Sequence, residues 1–209
     1  MNRLSAVIVA GGLNSRMGGK NKAFLQIGGQ TILSRLIAVL EKEFDEILIV
    51  TKNPSEYSSY TTKDNFIRTV SDLYGDRASL TGIHAGIYHA KNHFCFIVPC
   101  DAPFIKRSLI RLLVDSIEPE TDVVIPYYDG YYQPLCAIYS KSCLPAVEEL
   151  LKKSDYRIFN FFNKINLKRV GKDKLEQADP QMLSFVNVNT PEAFEESLKA
   201  EFSNIEKKI

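Results

Sequence analysis

Three features of the sequence predict an α/β fold, a doubly wound and mostly parallel sheet with a mixed C-terminal hairpin region. The strand-like runs at residues 4–10 (LSAVIVA), 46–50 (EILIV) and 94–98 (FCFIV) are apolar almost throughout. That is the pattern of strands covered on both faces rather than on one. Segments with helical spacing lie between them, and strand and helix alternate at least four times before any hairpin signal. Finally, Gly11-Gly12, Asp72 and Asp101 each follow a separate strand. Ligands of open parallel sheets sit beyond the C-terminal ends of the strands, so these residues are expected to converge there.

Taken in order, residues 4–10 form the first strand. After a polar loop, Phe24, Leu25 and Ile27 form a brief extended piece that ends at Gly28-Gly29. Thr31 then caps a helix with Leu33, Leu36, Ile37, Leu40 and Phe44 at helical spacing. The second strand, 46–50, closes at Asn53-Pro54, and the third spans 66–70. Leu80, Ile83, Ile87 and Ala90 mark the next helix, with Ser79 as its cap, and the strand at 94–98 follows. Ser108 begins a helix with Leu109, Leu112, Leu113 and Ile117 on one face. Residues 122–126 are a strand, Asp129-Gly130 a hairpin turn and 134–139 (PLCAIY) the return. Helices at 145–151 and 157–163 come next, then strands at 167–170 and 185–188. Thr190-Pro191-Glu192 opens a terminal helix, with Pro at its first position and an acid in its first turn.

A chain of 209 residues is expected to form one domain, 1–209, around one sizeable core. The net charge of +1 disfavours a protein that coats nucleic acid, which needs a basic excess. The opening MNRLSAVIVAGG leads into a polar loop and does not read as a signal peptide. No stretch approaches the roughly 18 apolar residues of a membrane span. Cys95, Cys100, Cys136 and Cys143 form no CxxC pair and no zinc spacing, so reduced thiols and a cytoplasmic location are expected.

Residues 6–25 (AVIVAGGLNSRMGGKNKAFL) carry the clearest chemistry. A buried strand opens into a loop with two glycine pairs and with Arg16, Lys20 and Lys22. Glycine lets backbone N–H groups converge on an anion, and the cations neutralise it, so this loop is expected to bind a nucleoside triphosphate. It is not a P-loop, since Lys20 is followed by Asn21, and it carries no GxGxxG. A plain solvated turn is the alternative, but such turns rarely combine that many glycines and cations.

Asp101, stiffened by Pro99 and Pro103, is the natural ligand for a Mg²⁺ that neutralises phosphate charge; as a turn or capping aspartate it would do neither. Asp72 is less specific, suiting a cap as readily as a ribose or base edge. His89 and His93, at i and i+4, lack a third metal ligand nearby and suit a helix C-terminus better. The tyrosines at 127, 128, 131 and 132 flank the hairpin as good strand residues, with one of them a candidate to face a planar ligand. No GxSxG and no Cys–His motif points to a nucleophile.

The loop Ala10-Gly11-Gly12-Leu13-Asn14-Ser15-Arg16-Met17-Gly18-Gly19-Lys20-Asn21-Lys22 resembles the signature of nucleotidyltransferases of the molybdenum-cofactor guanylyltransferase type. Pro99-Cys100-Asp101-Ala102-Pro103, Gln133-Pro134-Leu135 and Asn187-Val188-Asn189-Thr190-Pro191-Glu192 look similar in the same order, so the resemblance spans nearly the whole chain. It implies a Rossmann-like fold and transfer of GMP from Mg·GTP to the phosphate of molybdenum-bearing molybdopterin, with release of pyrophosphate. It would set Val9, Ala10, Gly11 and Gly12 against the nucleotide, Lys22 on the phosphates, Asp72 on the nucleoside and Asp101 on Mg²⁺. Arg16 and Lys22 would stabilise charge in the transition state. Gln133, Pro134, Asn187 and Asn189 would face the pterin acceptor. Molybdoenzymes or cofactor-synthesis proteins would be partners; nucleic acid and membrane would not.

Asn14 stands where the family usually has serine, and Asn21 where an aspartate often precedes the lysine, which removes a charge beside Lys22. After the second strand Val50, Thr51, Lys52 and Asn53 are all candidates for the nucleotide. A related transferase using CTP or a sugar phosphate is one rival reading. A GTP-binding regulatory module without catalysis is another.

Overall fold

The computed structural model describes residues 3–11, 21–75 and 78–188. Ten strands are present among them: β1 Leu4–Val9, β2 Gln26–Ile27, β3 Gln30–Thr31, β4 Glu46–Val50, β5 Ile67–Val70, β6 Phe94–Pro99, β7 Val123–Tyr128, β8 Tyr131–Tyr132, β9 Ala137–Ser140 and β10 Leu167–Gly171. The helices are α1 Ile32–Leu40, α2 Ser79–His89, α3 Arg107–Asp115, α4 Leu144–Lys152 and α5 Lys172–Ala178.

The main sheet has the order β10-β7-β9-β6-β1-β4-β5, with β8 paired to β7 and β2-β3 forming a separate hairpin. All pairs from β6 to β5 are parallel, whereas β9 runs antiparallel to both β6 and β7. Side chains of successive strand residues point to opposite faces, and here both faces are covered. Leu4, Ala6 and Ile8 of β1 pack with α1, α3 and α5, while Val7 packs with α2 and α4. The sheet is therefore doubly wound and mostly parallel, as the unbroken apolar runs imply.

Register decides where the site lies. Val9 of β1 is level with Val50 of β4 and Pro99 of β6, and Val50 is level with Val70 of β5. The four strands thus end flush, and the residues after each come out along one rim. The chain also reverses direction across the sheet at β1 and β6, the switch point where such folds leave a crevice.

Several local expectations need correction. Helix α1 starts as expected, Thr31 Oγ1 accepting from Ser34 N at 3.0 Å, but it ends at Leu40; Phe44 lies in the following turn and stacks on Phe96. Ser79 is the first residue of α2, and Ala78 occupies the cap position without a side-chain bond. Ile117 lies beyond the end of α3. The hairpin return is β8, and Gln133 to Cys136 make a turn before β9 begins. The 157–163 helix is a 3-10 run at Ile158–Lys164, and the 185–188 strand is replaced by a 3-10 turn at Leu183–Phe185 followed by extended chain. The helix expected from Thr190 lies outside the described residues.

Candidate active site

A cleft of about 290 Å³ opens at the shared C-terminal rim of β1, β4, β5 and β6. Val9, Ala10 and Gly11 from β1, Asp72 from β5 and Asp101 from β6 all line it, together with Lys22. The sequence reasoning placed each of these at a ligand, and the fold brings them to one cavity. Gly12, Arg16 and Asn189, and with them Lys20, lie outside the described residues.

Lys22 reaches the rim through a 3-10 turn, Lys22–Phe24, that the preceding residue organises. Asn21 Oδ1 accepts from Ala23 N at 3.1 Å, and its amide donates to Glu56 Oε2 at 2.9 Å and to the Tyr57 hydroxyl at 2.8 Å. From there Lys22 Nζ meets Asp101 Oδ2 at 3.2 Å, with the two side chains only 13% and 15% exposed. A carboxylate and an ammonium so far withdrawn from water interact more strongly than a surface pair. On the cleft wall beside them, burial, with Asp101's charge adding, pushes the Cys100 thiol up to about 12, so it is not a thiolate nucleophile.

On the other side of β1, Asp72 is almost covered, its side chain 8% exposed, with Lys52 Nζ 3.9 Å from Oδ2 and Thr81 Oγ1 at 3.4 Å. Of the residues after β4, Val50, Thr51 and Lys52 line the cleft; Asn53 donates to Glu56 instead. Thr81 carried no sequence signal, because a threonine in a helix normally meets solvent or backbone; Lys52 was one of four candidates after β4, with nothing local to single it out.

A second cleft of about 140 Å³ adjoins the first and shares Pro99, Leu135 and Asn187 with it. Gln133 and Pro134 line this second cleft. The turn that carries them is braced by the buried Tyr139, whose hydroxyl donates to Pro134 O at 2.8 Å. Asn187 is held by its neighbour, since Val188 N donates to Asp101 O at 2.9 Å.

The hairpin tyrosines line neither cleft. Tyr127 and Tyr132 pair at 4.8 Å under the Arg169 guanidinium, Tyr128 packs on Phe185, and Tyr131 is exposed. Helix α2 ends at His89, so His89 and His93 do not share a helix. Among the described residues no group of three or more His, Cys, Asp or Glu is arranged to hold a metal. None of their helices is long and apolar enough to cross a membrane.

The sequence matches the family model described as MobA-like NTP transferase domain over residues 6–170. The molybdenum cofactor guanylyltransferase of Desulfosudis oleivorans is 34% identical over 197 residues, covering 94% of this chain and 95% of that protein. A probable molybdenum cofactor guanylyltransferase of Clostridium perfringens is 34% identical over 203 residues, covering 95% and 98%. Among solved structures, the molybdopterin-guanine dinucleotide biosynthesis protein A of Archaeoglobus fulgidus superposes with a TM-score of 0.80 at 22% identity, over 95% of this chain and 99% of that one. That likeness shows a shared fold.

Proposed function

This chain belongs to the MobA-like NTP transferase family, and on that premise we propose that it transfers GMP from Mg·GTP to the phosphate of molybdenum-bearing molybdopterin, releasing pyrophosphate. It is a nucleotidyltransferase of the molybdenum cofactor guanylyltransferase kind. The observation that carries the detailed reading is the meeting of Lys22 and Asp101 at the β1–β6 switch point, beside a second cleft that reaches Gln133 and Asn187.

In this reading Val9, Ala10, Gly11 and Gly12 lie against the nucleotide, and Asp72 meets its nucleoside. Mg²⁺ fits the donor set: a cation carried on phosphates needs only one or two protein carboxylates, and Asp101 supplies a single, largely shielded one. When bound, it neutralises charge on the phosphate oxygens. Lys22 and Arg16 stabilise the charge that builds on the α-phosphate and the departing pyrophosphate. An acceptor phosphate oxygen bonds to the α-phosphorus as the bond to the β-phosphate bridge breaks. That oxygen is already anionic, so no strong base is required, and alignment does most of the work. Gln133, Pro134, Asn187 and Asn189 hold the pterin side. A cation–anion contact at ~4 Å is worth roughly 4 kcal/mol at an effective dielectric of 20 and about 1 in water, so a sheltered cleft multiplies what two cations can do.

The same reading takes residues 1–209 as one domain acting in the cytoplasm, with molybdoenzymes or cofactor-synthesis proteins receiving the product. Pyrophosphate release from Mg·GTP or Mg·CTP, with molybdenum-loaded molybdopterin, is the test. Asp101→Asn is expected to lose turnover while the fold, read by circular dichroism, survives, and Lys22→Ala to raise the KM for GTP about tenfold or more. Wild-type turnover in both variants would remove the site assignment, and turnover with CTP alone would remove guanylyl transfer.

A further inference from the structure

Lys52 and Asp72 form a second charged pair in the larger cleft, at the ends of β4 and β5, across β1 from Asp101. Lys52 and Lys22 are the cations among the described residues that line this cleft, and Lys22 is committed to the Asp101 side. Lys52 Nζ donates to Gly75 O at 2.7 Å and stands 3.9 Å from Asp72 Oδ2. An ammonium has three donors; the bond to Gly75 holds one, the ion pair with Asp72 sets the side chain's place, and N–H groups remain for a ligand. Thr81 in the first turn of α2 stands beside Asp72, its Oγ1 3.4 Å from Oδ2, while its hydroxyl donates to Ala78 O at 2.8 Å.

We propose that Lys52 is the specificity-determining residue for the base: its ammonium donates to the C6 carbonyl oxygen of guanine while Asp72 accepts from the ring and amino N–H groups beside it. This deepens the guanylyl-transfer reading and rests on it. The six-membered edge of guanine sets one acceptor next to two donors. A lysine only donates and a carboxylate only accepts, so the pair is the complement of that edge. Adenine and cytosine carry an amino group where guanine has the carbonyl, and against Lys52 two donors would face each other. A donor left without an acceptor in a sheltered site is an effective form of rejection. The bond to Gly75 keeps the ammonium from turning aside to admit them.

Equilibrium binding to the full chain, without acceptor, separates the possibilities. The ligands are GTP, ITP, CTP and the triphosphate of 2-aminopurine riboside, and the proteins are wild type, Lys52→Met and Lys52→Arg. ITP keeps the carbonyl and the ring N–H and lacks the amino group; the 2-aminopurine nucleotide keeps the amino group and lacks both the carbonyl and the ring N–H. Wild type is expected to bind GTP and ITP about tenfold or more tighter than the 2-aminopurine nucleotide. Lys52→Met should narrow the gap between GTP and the 2-aminopurine nucleotide by about fivefold or more by weakening GTP alone, the remainder being the ring N–H on Asp72, and Lys52→Arg should keep most of the preference. Equal weakening of both nucleotides in Lys52→Met would reduce Lys52 to a clamp on Gly75 and overturn the proposal. A preference unchanged in Lys52→Met would overturn it too, leaving guanylyl transfer standing. A wild-type chain that binds CTP more tightly than GTP would instead overturn the guanylyl-transfer reading itself.

Discussion

Asn21 illustrates how one side chain sets the position of the lysine beside it. Its oxygen caps the turn that carries Lys22, and its amide spans to Glu56 and Tyr57, while Glu56 Oε1 accepts from Asn53 at 3.0 Å. The sequence shows only that an acid is missing next to Lys22. The structure shows what stands in its place, a donor that an aspartate lacks, facing a glutamate. Asn21→Asp is therefore expected to set two carboxylates against each other, costing about 1 kcal/mol of stability and raising the KM for GTP several-fold. Adding Glu56→Gln should recover most of both losses in a double-mutant cycle. Additive effects would show that Asn21 and Glu56 act separately. Gly11, Gly12 and Asp101 are legible because they follow apolar runs, and Asp72 because it follows a strand-like segment. Thr81 and Glu56 are not, and Lys52 is only one of four candidates, because their partners are brought to them only by the fold.

Helix α2 packs closely on β1 beside the site. A Cβ on Gly82 would meet Val9 Cγ1 at 2.7 Å, and one on Gly86 would meet Val7 Cγ1 at 2.4 Å. The two glycines, one helical turn apart, let the helix settle onto β1, with the residues of its first turn lining the cleft. Gly86→Ala is expected to destabilise the fold by about 1–3 kcal/mol through overpacking, despite alanine's better helix propensity. That corresponds to a fall in Tm of roughly 2–4 °C per kcal/mol for a chain of this size, read by thermal unfolding. A rise in Tm would mean that β1 yields easily. Elements with a continuous apolar face, such as α1, α3 and β6, can be read from the sequence. Helix α5, KDKLEQA with Leu175 as its buried residue, offers no stripe to read, and the 3-10 runs carry no period of their own.

For the molecule as a whole, strand order is what the sequence withholds. β9 lies between β6 and β7 and antiparallel to both, a pairing set by long-range packing rather than by any local signal. It delivers Gln133 and Pro134 to the same rim as Asp101. The last described segment is tied down from the opposite side. Asp179 has no exposed side-chain surface; Lys106 Nζ stands 2.8 Å from its Oδ1, and Ser184 N donates to Oδ2 at 2.7 Å. Ser184 Oγ accepts from Lys106 N at 3.1 Å. Burial alone would raise the Asp179 carboxyl, but the Lys106 ammonium and the Ser184 N–H outweigh it and hold the group below its ordinary value. Its contribution to stability is then fully present above the unfolded-state value of about 3.9 and is lost as pH falls through the lower, folded value. The stability gap between wild type and Asp179→Asn, from urea titrations, is expected to hold steady from neutral pH to about 5 and to shrink below about 4. A gap that widens on acidification would contradict the depressed value.

The hydrogen bond from Val188 N to Asp101 O has a dynamic consequence. Val188 is buried with Ile27, Ile32 and Phe104 in a small cluster of its own, apart from the two clusters that sandwich the sheet. A satellite patch of that size opens at lower free energy than the β1–β6 core, so backbone amides near Val188 should exchange with solvent long before those of the central strands. Such local opening would move the wall shared by the two clefts while the sheet stays folded, and slow exchange at these amides would show that the wall is fixed.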